Sequence, residues 1–309
     1  MDNLLAALSA VYPLLVAIAV GVAIRRAGLV TEQGLKEMNG LVYKMFFPVM
    51  LFANVMDSDF GGGVPWKLLG VTLGLIAVTF LALMALVPRF VPGNPQRGVM
   101  VQGIFRSNFL VFGMSIVTSL YGAERLGPAV LLSAIVIPTM NGLSVVALEV
   151  FRGGRPNVRK ILLGVARNPI IIGTVLAFVC RLMGVDPLPE ATRSLAKVGT
   201  PFALVIIGAS FQVRQVHKYR RYLAVGVLAK LVLMPLLAVL VCLAAGLREE
   251  LLVTLLAIFG GPCATASYAM AQQMDGDGDL AALMVVFTSA LCVVSFFVWI
   301  FLLRSLGVA

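Results

Sequence analysis

The polar chemistry of this chain lies inside apolar stretches. Gln102, Arg106, Ser107 and Asn108 interrupt one such stretch, and Gly260-Gly261-Pro262-Cys263-Ala264-Thr265 interrupts another at a matching place 154 residues later. A charge at the centre of a bilayer-spanning helix costs about 2.5–3.5 kcal/mol on insertion scales, so Arg106 is expected to face protein or a cavity and to have a partner. Pro262 removes a backbone donor, and the two glycines before it weaken the helix further. A break of this kind exposes helix ends whose N–H groups carry partial positive charge and suit an anion. Asn141 follows Pro138, and Lys230 precedes Pro235, adding an amide and a second deep cation. Together they imply anion recognition. Arg106 and Lys230 supply positive potential, while Ser107, Asn108, Asn141 and the backbone over Gly261, Pro262, Cys263, Ala264 and Thr265 supply hydrogen bonds. Gln102, Ser115, Gln272, Gln273 and Asn54 are further candidates, for ion handling or gating. A structural pairing with a carbonyl or another side chain is the competing reading for Arg106, and helix bridging is the competing reading for Asn141.

Other chemistries lack their residues. No Asp or Glu falls at the centre of an apolar stretch, since Glu149 and Asp57 lie near ends. Carboxylate proton relays and carboxylate-caged sodium sites are therefore poorly supported, whereas a sodium site of carbonyls, hydroxyls and amides stays open. The single histidine, His217, sits among Arg214, Lys218, Arg220 and Arg221 in what reads as a loop, and there is no HExxH. The run Asp275-Gly276-Asp277-Gly278-Asp279 lacks the downstream Glu of a calcium loop and reads as an acidic turn. Cys180, Cys242, Cys263 and Cys292 form no CxxC pair and read as small core side chains. No enzyme activity, metal or cofactor is expected.

What must position the polar residues is a bundle of membrane helices. The chain has 309 residues, 60% hydrophobic and 12% charged, with a mean hydropathy of +1.01. A soluble domain of that length cannot bury so much apolar surface, so lipid is the solvent for much of it. The net charge of +10 lies mostly in short loops between apolar spans, which argues against nucleic acid as a partner. Ten apolar spans can be read: 4–24, 40–56, 66–90, 98–120, 127–150, 160–183, 191–213, 221–246, 250–273 and 280–303. Asp2 and the lack of a basic leader make the first a retained helix.

Punctuation recurs between the halves. Tyr12-Pro13, Arg25 and Gly28 return 156 residues later as Asn168-Pro169, Arg181 and Gly184, and Pro48 returns 153 later as Pro201. Ile104-Phe105, Gly122 and Leu126 return 154 later as Ile258-Phe259, Gly276 and Leu280. Five spans per half force opposite orientations, so an all-α fold of two inverted five-helix repeats is expected, residues 1–156 and 157–309. Lys and Arg favour one set of loops by thirteen to seven, which places both termini outside an inner membrane. A duplicated bundle with interrupted helices is the architecture of a carrier.

At this point the chain resembles the auxin efflux carrier family along essentially its whole length. The resemblance is carried by IRRAGLVTEQGLKEMNGLVYKMFFPVMLF (24–52), FRSNF (105–109), ARNPIIIG (166–173), GTPFALVIIGAS (199–210), KLVLMP (230–235) and PCATASYAMAQQM (262–274). It implies ten transmembrane helices in two inverted repeats, similar to the bile-acid/sodium symporter group. In that arrangement helices 4 and 9 unwind and cross around Asn108–Ser115 and Gly261–Thr265, with Asn141 lining the pocket. It also implies a scaffold of helices 1, 2, 6 and 7 and a moving bundle of helices 3–5 and 8–10. Similar proteins carry organic anions such as auxin, malate or malonate by alternating access. Coupling to protons or sodium, and assembly as a homodimer, are left open. Met114-Ser115 stand where relatives have a proline, which predicts a milder break in helix 4. A transporter-like sensor that binds without moving its ligand is the alternative reading.

Overall fold

A computed structural model describes residues 2–58, 66–122, 125–153, 158–185 and 188–308. The boundary expected between the halves, at 156–157, lies outside these residues. The described residues are almost all helical, and the only extended pairing among them is a single bridge at the centre. In chain order the helices are α1 (Asp2–Arg26), α2 (Glu32–Leu41), α3 (Phe47–Met56), α4 (Trp66–Phe90), α5 (Asn94–Phe105), α6 (Met114–Tyr121), α7 (Gly127–Phe151) and α8 (Val158–Ala166). They continue as α9 (Pro169–Leu182), α10 (Glu190–Ser210), α11 (Val213–Leu228), α12 (Met234–Ala244), α13 (Glu249–Gly260), α14 (Ala266–Gln273) and α15 (Gly278–Ser305).

Five continuous helical stretches are long and apolar enough to cross a membrane: Glu32–Met56, Trp66–Phe90, Gly127–Phe151, Val213–Ala244 and Gly278–Ser305. The expected span 160–183 is instead two helices, α8 and α9, bent by 60° and countable as a sixth crossing. Asn168 makes the corner. Its side chain accepts from the Ile170 N–H at 3.0 Å and caps α9, while Pro169 fits the first helical position, where no donor is needed. The remaining expected spans fall on α1, on α10 and on the interrupted pairs α5–α6 and α13–α14.

Helices run past the apolar stretches that announced them. The second begins at Glu32, capped by Thr31 Oγ1 accepting from Gly34 N at 3.0 Å, eight residues before its hydropathy would start it. His217 and the basic residues around it belong to α11, not to a loop. The acidic turn ends in a cap: Asp277 Oδ1 accepts from Leu280 N at 3.0 Å, and its Oδ2 accepts from Gln96 and Tyr219, both at 2.6 Å. Polar residues can extend a helix while lowering its hydropathy below that of a membrane span, which is why composition misplaced these ends.

Two prolines widen their helices without breaking them. π-helical turns at Val42–Phe46 and Ala229–Leu233 each lie just before a proline, Pro48 and Pro235. A proline inside a helix leaves the carbonyl four residues back without its donor and crowds it, and one wider turn relieves the contact. For Pro235 that carbonyl is Leu231. It accepts from Ser295 Oγ at 2.6 Å and from Trp299 Nε1 at 3.2 Å, so α15 supplies the missing donors.

Two helix pairs approach backbone to backbone. A Cβ on Gly21 of α1 would overlap the Val205 carbonyl oxygen of α10, and one on Gly208 would overlap the Ile18 carbonyl oxygen of α1. Likewise a Cβ on Gly173 of α9 would sit 2.7 Å from the Pro48 carbonyl oxygen of α3. Small residues allow such contact where no water drives helices together. Around the interrupted helices the packing is aromatic: Phe112 meets Phe296 edge-on at 4.8 Å, and Phe80 meets Phe105 at 5.4 Å.

Candidate functional site

The two interruptions meet. Helix α5 ends at Phe105, Arg106 is extended (φ −86°, ψ 136°), and a π-helical turn over Phe109–Gly113 restores the helix before α6. Helix α13 ends at Gly260, Gly261 is extended (φ −58°, ψ 156°), and α14 begins at Ala266. Between them Ser107 pairs antiparallel with Cys263, and the Asn108 N–H donates to the Pro262 carbonyl at 2.8 Å. The Ser107 hydroxyl donates to the Ile258 carbonyl, and the Cys263 N–H donates to Thr288 Oγ1 at 3.0 Å. Each segment thus supplies groups that the other lost when its helix stopped, as backbone away from water requires. Glycine suits the end of α13, because a Cβ on Gly261 would lie 2.8 Å from the Ala257 carbonyl oxygen, closer than real Cβ contacts. Met114 and Ser115 are already helical, so the extended residues precede the position where a proline was missed.

Both deep cations have partners of different kinds. Arg106 is 5% exposed; its guanidinium donates to Asn141 Oδ1 on α7 and lies 2.9 Å from Met270 Sδ on α14. Lys230 is fully buried and donates to the Phe259 carbonyl at 3.2 Å, at the C-terminal end of α13. A cation there complements the negative end of the helix dipole and satisfies a carbonyl that has no helical partner. Gln102 Nε2 similarly donates to the Ser267 carbonyl at 3.0 Å. It ties α5 to α14.

Beside the junction is a cavity of about 50 Å³, lined by Arg106, Ser107, Asn108, Asn141, Asn54, Ala264 and Thr265 among the residues anticipated from sequence. Gly261, Pro262 and Cys263 form the junction without lining the cavity, and Lys230, Gln102 and Ser115 do not line it either. Gln272 and Gln273 reach two other cavities, one with Arg25 and Tyr268 and one with Tyr43 and Arg167. The central cavity also takes in Phe47, Met50, Phe109, Met140, Ile170 and Thr200, which hydropathy gave no reason to single out. The repeated prolines were the available signal, because Thr200 and Met50 flank Pro201 and Pro48 and touch at 3.4 Å. Among the described residues no Asp or Glu lines the central cavity, and the Nδ2 donors of Asn54 and Asn141 are buried without hydrogen-bond partners. The lining therefore offers a guanidinium and two unpaired amide donors, which an acceptor-rich ligand would satisfy. Among the described residues, no group of three His, Cys, Asp or Glu side chains could hold a metal ion.

A second cavity, of about 380 Å³, adjoins the first, sharing Met50, Asn54 and Thr200 with it. It extends between α1, α3 and α10 towards the ion pair of Arg193 with Asp57 at 2.9 Å.

No curated protein sequence matches this chain significantly. A family profile described as membrane transport protein matches over residues 6–158 and 154–300, two stretches that meet where the halves were expected to join. The chain belongs to this family of membrane transport proteins, the auxin efflux carriers.

Proposed function

We propose that this protein is a carrier of small organic anions that binds a carboxylate in the central cavity and moves it by alternating access. The observation that carries the reading is the lining. A buried guanidinium, Arg106, stands beside the unpartnered Nδ2 groups of Asn54 and Asn141, with no carboxylate to neutralise them. Such a site has donors in excess and positive charge, so a ligand with several acceptor oxygens and negative charge completes it. The starts of the π-turn at Phe109 and of α14 at Ala266 border the same cavity, adding the positive ends of two half-helices.

On this reading the fold is ten transmembrane helices in two inverted five-helix repeats, with α5–α6 and α13–α14 as the crossing helices. The glycine-mediated pairing of α1 with α10, and its counterpart between α9 and α3, supports that symmetry. Helices α1, α2–α3, α8–α9 and α10 form the scaffold, and the remaining helices form the bundle that moves. Both termini lie outside an inner membrane. With no carboxylate among the described residues that line the central cavity, uniport or exchange is favoured over sodium symport. An inside-negative potential of 100 mV drives a monoanion outward by about 2.3 kcal/mol without any other ion.

The test is flux of malate, malonate and indole-acetate into proteoliposomes, preceded by a thermal-shift screen over carboxylates. Saturable flux above that of empty liposomes, with counterflow, is expected. Stabilisation by a carboxylate without flux would make the protein a sensor, and no response to any carboxylate would remove the anion assignment.

A further inference from the structure

A third cavity, of about 580 Å³, is lined by Lys44, Arg152, Lys160 and Arg167 with one carboxylate, Glu149. Arg152 is engaged by Glu149 at 3.0 Å and by Asp275 at 2.9 Å, so Lys44 and Arg167 carry most of its uncompensated field.

Its place relative to the central cavity is fixed by helices that line both. On α9, Pro169 faces the basic cavity and Ile170 the central one. At the second span Tyr43 and Lys44 line the first and Phe47 the second. On α7 the pair is Glu149 and Asn141, and on α14 it is Gln273 and Ala266, roughly 10 Å apart along each helix. The two cavities therefore lie end to end along four elements, yet share no lining residue. Between them stands a small plug. Asn168 Nδ2 donates to the Tyr43 hydroxyl at 2.7 Å and lies 3.6 Å from Met274 Sδ, and all three side chains are buried. On its far side the central cavity adjoins the 380 Å³ cavity, with which it shares Met50, Asn54 and Thr200, whereas it shares no lining residue with the basic one.

We propose that the basic cavity is a second, transient binding site for the transported carboxylate, which collects the anion at that end, and that the Tyr43–Asn168–Met274 plug is the gate between it and the central site. The proposal rests on the carrier reading for the identity of its ligand. Its charge and its gate do not depend on that reading. Anion collection by a concave basic site raises local ligand concentration and on-rate by roughly 10–10³-fold. The plug opens by losing one neutral hydrogen bond and a thioether contact.

The experiment uses thiol labelling in the intact chain, with site-resolved mass spectrometry to separate the engineered thiol from native ones. Anionic and cationic methanethiosulfonates of similar size are added from the basic end. At Gln273→Cys the anionic reagent is expected to react at least about tenfold faster, relative to the cationic one, than after Lys44→Gln and Arg167→Gln are added. An unchanged ratio would overturn the collecting site. At Ile170→Cys, just beyond the plug, Asn168→Ala is expected to raise labelling about tenfold; if that fails, Tyr43→Phe must raise it, and an unchanged rate in both overturns the gate. For whichever carboxylate the wild type carries, Lys44→Gln with Arg167→Gln should raise KM from that end about tenfold with kcat unchanged. The effect should persist in pure phosphatidylcholine. If it appears only when phosphatidylglycerol is present, the cavity holds a lipid phosphate and the proposal fails. Absence of flux for every carboxylate would overturn the carrier reading alone, because both labelling arms work without transport.

Discussion

Replacing Arg106 with methionine separates binding from folding. In the folded protein the guanidinium is buried, donates to Asn141 Oδ1 and borders the central cavity. Removing it leaves Asn141 Oδ1 without this donor, a cost of about 1–3 kcal/mol for a buried polar group. It also removes a charge whose burial in a membrane helix costs about 2.5–3.5 kcal/mol. These terms oppose and nearly cancel, so the Arg106→Met protein should keep its fold, with stability within about 2 kcal/mol of wild type. Ligand binding has no such compensation. A hydrogen bond to a charged group contributes about 1.5–3 kcal/mol, and each 1.4 kcal/mol is about tenfold in affinity, so carboxylate binding should weaken about 10–150-fold. Arg106→Lys retains charge but loses the planar fork and should fall between. The assay is isothermal titration of the purified protein with malate or malonate, whichever stabilises the wild type, alongside a thermal melt. Affinity within threefold of wild type in a folded Arg106→Met protein would refute the placing of the anion beside Arg106.

Lys230→Met makes the converse case: because Lys230 caps α13 and does not line the cavity, carboxylate affinity should stay within about threefold of wild type in the same titration, and a larger loss would return it to the site. Gly208→Ala should lower the melting temperature, since its Cβ would overlap the Ile18 carbonyl oxygen and overpacking costs about 1–3 kcal/mol; an unchanged melt would mean that α1 and α10 separate freely. Ser295→Ala and Trp299→Phe should each cost about 1 kcal/mol, but the double variant should cost more than their sum, because only then does the Leu231 carbonyl lose both side-chain donors. Additive melting shifts across that cycle would show that the carbonyl is satisfied another way.

Much of this architecture is legible in the amino-acid order because the signals are local. Hydropathy over about 20 residues reveals a membrane helix, and glycine or proline within it marks a weak point, so the residue order alone locates both interruptions. The matching of Asn108 with Pro262 across the repeat proved close to a physical contact, with one residue's N–H bound to the other's carbonyl at 2.8 Å. Helix ends are less legible. Glu32 to Asn39 and Arg214 to Arg220 are polar enough to read as loops, and the bend at Asn168 replaces an expected single span, because hydropathy reports polarity and not the caps and corners that set helix ends.

Sequence alone therefore determined that lipid is the solvent, that two helices are broken, and that Arg106 and Lys230 are buried cations in need of partners. Only the tertiary structure decided which partner each one has. Lys230 turned to a carbonyl at the end of α13, and Arg106 turned to Asn141 beside an open cavity with two unpaired amides. The physical reason is that burial cost is a property of one residue and its solvent. Its compensation depends on which groups from distant parts of the chain arrive within about 3 Å.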